Sequence, residues 1–502
     1  MRPDEEAPRH ASPPDPAEER IGRDLAWLSA IIALGGFMTL LDGSIVNIAL
    51  GTLTRTFEAP LATTQWVTTA YLLALSTVIP FSGWAMERFG ARRMWFTAQA
   101  MFLVGSLAAA LAWSVESLIA FRVVQGLGGG LVIPVGQAIL AAEAGPRRLP
   151  KVVGFISAPA MLAPVIGPFL GGALIDALNW QWIFYINAPI VLLTIALSWW
   201  RMAPDGPTAR SRLDAVGALL LAPGLTALLF GLSMVAESGA GSAPVLISLA
   251  LGLALLAGFV VHGLRPTTTP LIDLRLFRDR PFAVSTAVTL AVNASLFGSL
   301  LLLPLYFQFV RRADVLEAGL LMAPQGVGFV IAALMTGRLV AQLGARATTL
   351  VGLGVALIAT VPLTMVTAET DHWWLVTLLI VRGIGLGAGS IPAMASAYHN
   401  LPKPDIPRAT SAFNISQRSG SAIGTALLAV VLQGQIAARL PESADELTMS
   451  APSAPLAASF GDAFWWVAGL LVVTAIPAVL MPSQRPPSTA DSEVAVPEPK
   501  QE

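Results

Sequence analysis

Apolar runs, each about as long as a bilayer is thick, follow one another from residue 25 to residue 481 with short charged connections between them. A helix crosses the hydrocarbon core with about twenty predominantly apolar residues. By that length fourteen spans fit: 25–50, 62–86, 94–114, 117–141, 151–175, 183–202, 213–236, 243–263, 282–310, 315–341, 347–367, 373–398, 409–436 and 461–481. The chain therefore reads as an all-α polytopic membrane protein. Its 12% of charged residues agrees, against roughly 25% in a soluble domain.

An even number of spans puts both termini on one side. Twenty-three of the thirty Lys and Arg residues fall on that side, four (Arg55, Arg311, Arg312 and Arg439) on the other, and three (Arg122, Arg382 and Arg418) inside spans. The excess of basic residues in cytoplasmic loops then makes both termini cytoplasmic. Most of the tryptophans, such as Trp27, Trp113, Trp199 and Trp373, stand near span ends, where interfacial aromatic belts form. Residues 1–24 and 482–502 are polar, Pro-rich and charged, and read as disordered cytoplasmic tails. The first of them has no apolar core of a cleavable signal.

Two echoes divide the chain. GWAMERFGAR at 83–92 returns as GRLVAQLGAR at 337–346, and GLGGG at 126–130 returns as GLGAG at 385–389. Offsets of 254 and 259 residues are too long for a solenoid. They fit two six-helix bundles related by a parallel repeat, with substrate sites between the halves near mid-membrane. On this reading the first bundle covers 25–202 and the second 282–481. The linker, 203–281, carries two extra spans expected to be structural helices facing lipid.

Asp42 is the only charge between Leu25 and Leu53. An acid near mid-membrane is disfavoured by roughly 2.5–3.5 kcal/mol on insertion scales, so a retained one points to protons, ions or ligands. Burial favours its protonated form, and water or a nearby cation the charged one, which makes Asp42 a candidate switch. Arg122 likewise lies in an apolar span and needs an acceptor. GLGGG has no preceding strand and so is no dinucleotide loop. Gly83 permits close helix approach, Gly90 a sharp turn, and Gly167, Gly171 and Gly172 a bare packing face, while Pro168 bends its helix.

LDGSIVNIAL at 41–50, GWAMERFGARR at 83–93, FRVVQGLGGG at 121–130 and APVIGPFLGGAL at 163–174 resemble the motifs of the major facilitator superfamily. NWQWIFYINAPI at 179–190 resembles the family's next segment. The chain is similar to the fourteen-helix drug:proton antiporters, the multidrug efflux transporters, of that superfamily. The resemblance implies the major facilitator fold, two six-helix bundles plus two inserted helices. It implies a role for Asp42, with Asn47 on the same element, in proton coupling or binding of cationic substrate. It also implies that Arg122 modulates the proton on Asp42, with Gln125 donating to the same network. Glu87, Arg88, Arg92 and Arg93 would form a charge cluster that latches one bundle to the other near Pro407–Thr410 when the transporter faces outward. The 163–174 glycines would pack against the opposite bundle and govern opening. Glu87 stands where the family usually has Asp, and Ala91 where it has a basic residue, so the latch is expected to be looser.

The embedded polar residues of the second half, Asn293, Gln308, Gln325, Arg382, Asn414, Gln417 and Arg418, either line the cavity or bond neighbouring helices. The chain has no cysteine, its four histidines form no cluster, and no P-loop appears, so neither a cofactor nor a bound metal is expected and an ion gradient is the expected energy source. A net charge of −1 suggests no nucleic-acid partner. The expectation is therefore a carrier, not an enzyme, of the bacterial cytoplasmic (inner) membrane. It exchanges protons for amphipathic or cationic drugs, with membrane lipids around it and a periplasmic adaptor left open. An exporter of one metabolite, such as a self-made antibiotic or siderophore, and a non-transporting receptor or scaffold are the alternatives.

Overall fold

In the computed structural model, described for residues 22–206, 212–239, 241–265, 270–440 and 453–482, the chain is all helix and connection. Apart from residues 22–24 and 482, the expected tails lie outside the described residues. The helices are α1 Arg23–Thr56, α2 Leu61–Val78, α3 Phe81–Phe89, α4 Ala91–Ala110, α5 Val115–Ala177, α6 Trp182–Tyr185, α7 Asn187–Arg201, α8 Ala215–Ser238, α9 Ala243–Gly263, α10 Arg280–Leu305, α11 Val315–Leu343, α12 Ala345–Thr360, α13 His372–Ala397, α14 Ile406–Arg439 and α15 Ser453–Val479.

Among the described residues eleven helices are long and apolar enough to span a membrane, and α2 with α3, bent by 56° at their junction, makes a twelfth. The protein is thus a multi-pass membrane protein. Fourteen spans are not reached on this measure. The expected span at 94–114 corresponds to α4, whose twenty residues include Arg92, Arg93 and Gln99. The one at 151–175 is the second arm of α5, several of whose side chains lie outside the described residues. The two arms of α5 meet at Gly145, where φ is +66°. That backbone region is open to glycine at little cost and breaks the helix without a loop.

The first sequence echo marks two equivalent turns. Gly90, at φ +94°, separates α3 from α4, and Gly344, at φ +82°, separates α11 from α12. At the first turn the Asp205 carboxylate accepts from the Arg92 and Arg93 backbone N–H groups at 2.7 and 3.0 Å and caps α4. The second echo marks close packing. A Cβ at Gly126 would lie 2.5 Å from the Tyr71 carbonyl on α2, and one at Gly385 2.3 Å from the Ala356 nitrogen on α12. In each half the glycine run lets the central helix touch its neighbours' backbones.

The helices pack in two groups. In the first, α1, α2 and α4 lie on α5, and α7 lies on α1; in the second, α11 and α12 lie on α13, and α14 and α15 on α10. One apolar core crosses between the groups at the Gly90 end, bringing Met86 and Val153 together with Phe329, Met394 and Phe413. At the opposite end the buried core residues stay within their own group, Phe102 and Phe184 in one and Phe307 and Phe460 in the other. The groups are therefore joined at one face, here called the latch face.

The inserted pair is asymmetric. α9 packs on α8 and leaves most of its surface outward. α8 lies over the seam, against α2 of one group and α14 of the other, with a 2.5 Å hydrogen bond between the Thr226 and Thr77 hydroxyls. The two inserted helices thus differ: α9 touches little but α8, whereas α8 packs on both groups and is more than an outward-facing helix.

Candidate functional site

Asp42 sits at mid-helix in α1 and is fully buried, and among the described residues it is the only fully buried carboxylate. Arg122 of α5, also without exposure, donates from Nη1 to Asp42 Oδ2 at 2.6 Å. The same nitrogen donates to Gln125 Oε1 at 2.7 Å, and Gln125 Nε2 returns to Asp42 Oδ1 at 2.8 Å. Three residues of separation place Arg122 and Gln125 on one helix face, so both reach the same carboxylate. Arg122 Nε donates to the Val67 carbonyl at 3.2 Å, and its guanidinium lies 4.0 Å from the centre of the Tyr71 ring. The cation thus has an acid, an amide, a carbonyl and an aromatic face around it, the surroundings a buried charge requires.

Sequence reasoning missed two members of this network. Asn187, at the start of α7, donates to Asp42 Oδ1 at 2.8 Å and to Ser106 Oγ of α4 at 2.8 Å. Their signals were an amide and a hydroxyl in otherwise apolar helices, in the first case within the quoted 179–190 segment. Asn47 is not in the network. It is exposed, and its carbonyl accepts from Thr68 Oγ1 at 3.2 Å. Five residues beyond Asp42, it points to another side of α1.

The glycines of 163–174 join this site from within the same group. A Cβ at Gly167 would lie 2.0 Å from Ser44 Oγ, and one at Gly171 3.2 Å from the Ile45 carbonyl. Ser44 Oγ in turn donates to the Ala163 carbonyl at 3.0 Å. This corrects the expectation that the segment packs against the opposite bundle; it packs against α1, just beyond Asp42. Gly172 faces open space, and Pro168 lies within the continuous helix. A close cross-group backbone approach of α5 is made elsewhere, at Gly154, where a Cβ would lie 2.6 Å from the Ala333 carbonyl of α11.

At the latch face, Glu87 meets Arg408 of α14 through both oxygens, with Nε 2.7 Å from Oε1 and Nη2 donating to Oε2 at 2.8 Å. Ser82 and Ser411 share a 2.6 Å hydroxyl contact, and a Cβ at Gly83 would lie 3.0 Å from the Pro407 carbonyl. The acid of the loop therefore reaches the other group at the expected place, onto the Arg408 side chain. The three basic residues do not take part. Arg88 is exposed, Arg92 lies 5.3 Å from the Trp199 ring within its own group, and Arg93 is exposed while its backbone meets Asp205. Facing Arg408, they would be repelled.

Between the groups lies a cavity of about 190 Å³, lined among others by Gln137, Asn293, Asn414, Gln417 and Arg418. Asn414 Nδ2 donates across it to Gln137 Oε1 at 2.7 Å. Asn293, Asn414 and Arg418 are thus cavity residues. Gln308 is not; it lies on the turn Tyr306–Val310 beyond α10. Nor is Gln325, which accepts from Arg382 Nη1 at 2.7 Å inside the second group. Arg382, fully buried, also donates to Thr360 Oγ1 at 3.1 Å and to Ser299 Oγ.

The model of the Major Facilitator Superfamily matches residues 32–425 of the chain. The multidrug resistance protein B homolog of Mycobacterium tuberculosis is 39% identical over 422 residues, 83% of this chain and 78% of that protein. Lincomycin resistance protein LmrB of Listeria monocytogenes is 30% identical over 403 residues, covering 80% and 85%. The crystal structure of the human organic anion transporter MFSD10 (TETRAN) superposes with a TM-score of 0.58 on 89% of this chain and 99% of its own, at 14% identity, a likeness of fold alone.

Proposed function

The chain belongs to the Major Facilitator Superfamily, and from that premise we propose that it is a proton-coupled antiporter of the fourteen-helix drug:proton type, exporting amphipathic drugs across the bacterial cytoplasmic membrane. Its relatives' names, multidrug and lincomycin resistance proteins, support export. Counting α4 and the second arm of α5 with the twelve apolar spans brings the helices to fourteen. The two helix groups are read as bundles, with both termini and the latch face cytoplasmic, so that this conformation is open outward.

The observation that carries the coupling is the buried Asp42 network. A proton arriving from outside at Asp42 cancels the charge that Arg122, Gln125 and Asn187 hold. The neutral acid keeps less hold on the guanidinium, and α1 can shift against α5. Gly167 and Gly171 pack on Ser44 and Ile45 of α1, two and three residues beyond that acid, so α5 registers the shift directly, and Gly154 of the same helix carries it to α11. The latch pair Glu87–Arg408 then opens, and the cavity faces the cytoplasm for proton release and drug loading.

Reconstituted protein in vesicles with an imposed pH gradient tests this. Drug-driven proton flux is expected from the wild-type protein and is expected to vanish in Asp42→Asn, with insertion unchanged. Undiminished flux in Asp42→Asn sinks the proposal.

A further inference from the structure

We propose that the exported compound is an amphipathic anion whose charged group pairs with Arg418 and whose apolar body lies in the pocket between α2, α8 and α14. The inference rests on the export reading and names its substrate class. Of the three arginines inside spans, Arg122 has Asp42 and Arg382 has three neutral acceptors in a closed interior. Arg418 differs from both. Among the described residues it has no ion pair or hydrogen bond, and it is only partly buried. It lies twelve residues into α14, about 18 Å along the axis at 1.5 Å per residue, hence near mid-membrane. A guanidinium held there without an acceptor is unfavourable unless an anion meets it.

The surroundings have the shape of an amphipath. Arg418 lines the central cavity of about 190 Å³ and also a second hollow of about 280 Å³. Phe297 and Ser421 wall both as well, so the two adjoin at Arg418. The second hollow is walled mainly by apolar side chains, Leu72 and Leu73 of α2 and Leu229 and Leu232 of α8, with the hydroxyls of Thr69, Ser76, Ser233 and Thr425 among them and Arg418 in its lining. On the cavity side Gln417, and the second amide hydrogen of Asn293, whose Nδ2 already donates to the Thr289 carbonyl at 2.8 Å, are the donors for the remaining oxygens of a carboxylate or sulfonate. The inserted helix α8 is thus a wall of the proposed binding site.

No carboxylate lines either hollow. Both oxygens of Asp42 are taken, one by Arg122 and the other by Gln125 and Asn187. A cationic drug would find Arg418 and no acid to meet it, so the cationic half of the sequence expectation is replaced here by the opposite sign. The sign has an electrical consequence. Exchange of one proton inward for one monoanion outward moves two charges, whereas one proton for one monocation moves none.

Three probes with the same arylalkyl body test this in vesicles: a sulfonate, permanently anionic and unable to carry protons itself; its neutral sulfonamide; and a quaternary ammonium. Proton flux is read at zero and at imposed membrane potential. The sulfonate is expected to drive proton flux that accelerates with the potential. Arg418→Gln is expected to raise its KM tenfold or more, as loss of a charge-assisted pair does, while the sulfonamide changes by less than about threefold. Arg418→Lys, which keeps the charge, should retain most of the sulfonate preference. The inference fails, with export intact, if the ammonium probe is handled as well as the sulfonate or if Arg418→Gln slows all three probes alike. If no probe drives flux and Asp42→Asn matches the wild-type protein, the export reading fails and takes this inference with it.

Discussion

The Asp42 carboxylate is held by donors from two other helices, and their unequal chemistry separates what each contributes. Arg122 serves Asp42 and Gln125 from Nη1 and the Val67 carbonyl from Nε, a spread across a planar fork that the single nitrogen of an ammonium does not reproduce. Arg122→Lys is therefore expected to lose transport nearly as completely as Arg122→Ala, measured as drug-driven proton flux in vesicles with matched insertion. Asn187→Ala removes one charge-assisted bond of about 1.5–3 kcal/mol and leaves the ion pair, so a partial loss, roughly ten- to a hundredfold, is expected in the same assay. Asp42, Arg122 and Gln125 were legible in the sequence because a charge or amide in an apolar run is costly and the last two share a helix face. Asn187 was not. Linear pattern cannot distinguish it from Gln308, an amide of the same kind that the fold carries away from both the acid and the cavity. Arg418 was legible as an embedded cation, but its lack of an acid appears only when the helices around it are assembled.

Helix boundaries obey glycines whose backbone no other residue adopts easily, which is why the repeated G-x6-G-A-R frame could be read as two equivalent turns. At Gly90 the demand is double. The backbone is left-handed, and a Cβ would lie 2.3 Å from the Asp205 carboxylate that caps α4. Gly90→Ala is expected to destabilise by about 1–3 kcal/mol, and Asp205→Ala, which removes the cap alone, by about 1 kcal/mol. Both appear as a lowered unfolding midpoint of detergent-solubilised protein, and an Asp205→Ala loss equal to or larger than that of Gly90→Ala would contradict the assignment. Element pairing was less legible than element position. The 163–174 glycines announce close packing but do not say against which helix. The sequence therefore could not show that α1, bearing Asp42, is the partner. Nor could apolar composition distinguish α8 from α9, since only the seam beneath α8 makes it a bridge between the groups.

At the scale of the whole molecule, the two groups are joined by an apolar core and an ion pair at one face and, among the described residues, by no shared buried core at the other. On the proposed antiport cycle this arrangement is one of two states, and the pair biases their balance. Glu87 and Arg408 are partly shielded, with side-chain exposures of 15% and 22%, so their attraction counts for more than that of a surface pair yet is screened by water on one side. Removing it is expected to shift the balance by about 1 kcal/mol, roughly fivefold in population, toward the state in which the latch face is open. The absence of cysteine makes this measurable without first removing native thiols. Spin labels at Arg88→Cys and Lys403→Cys, both exposed on the latch face and on opposite groups, should report mainly a short distance in the otherwise native protein. With Arg408→Gln a longer distance should gain weight, and the charge-reversed pair Glu87→Arg with Arg408→Glu should restore the short one. If Arg408→Gln leaves the distribution unchanged, the apolar core alone holds the face shut. Opening would then have to be driven from the Asp42 end through α5, whose Gly154 makes a close backbone approach to α11 of the other group.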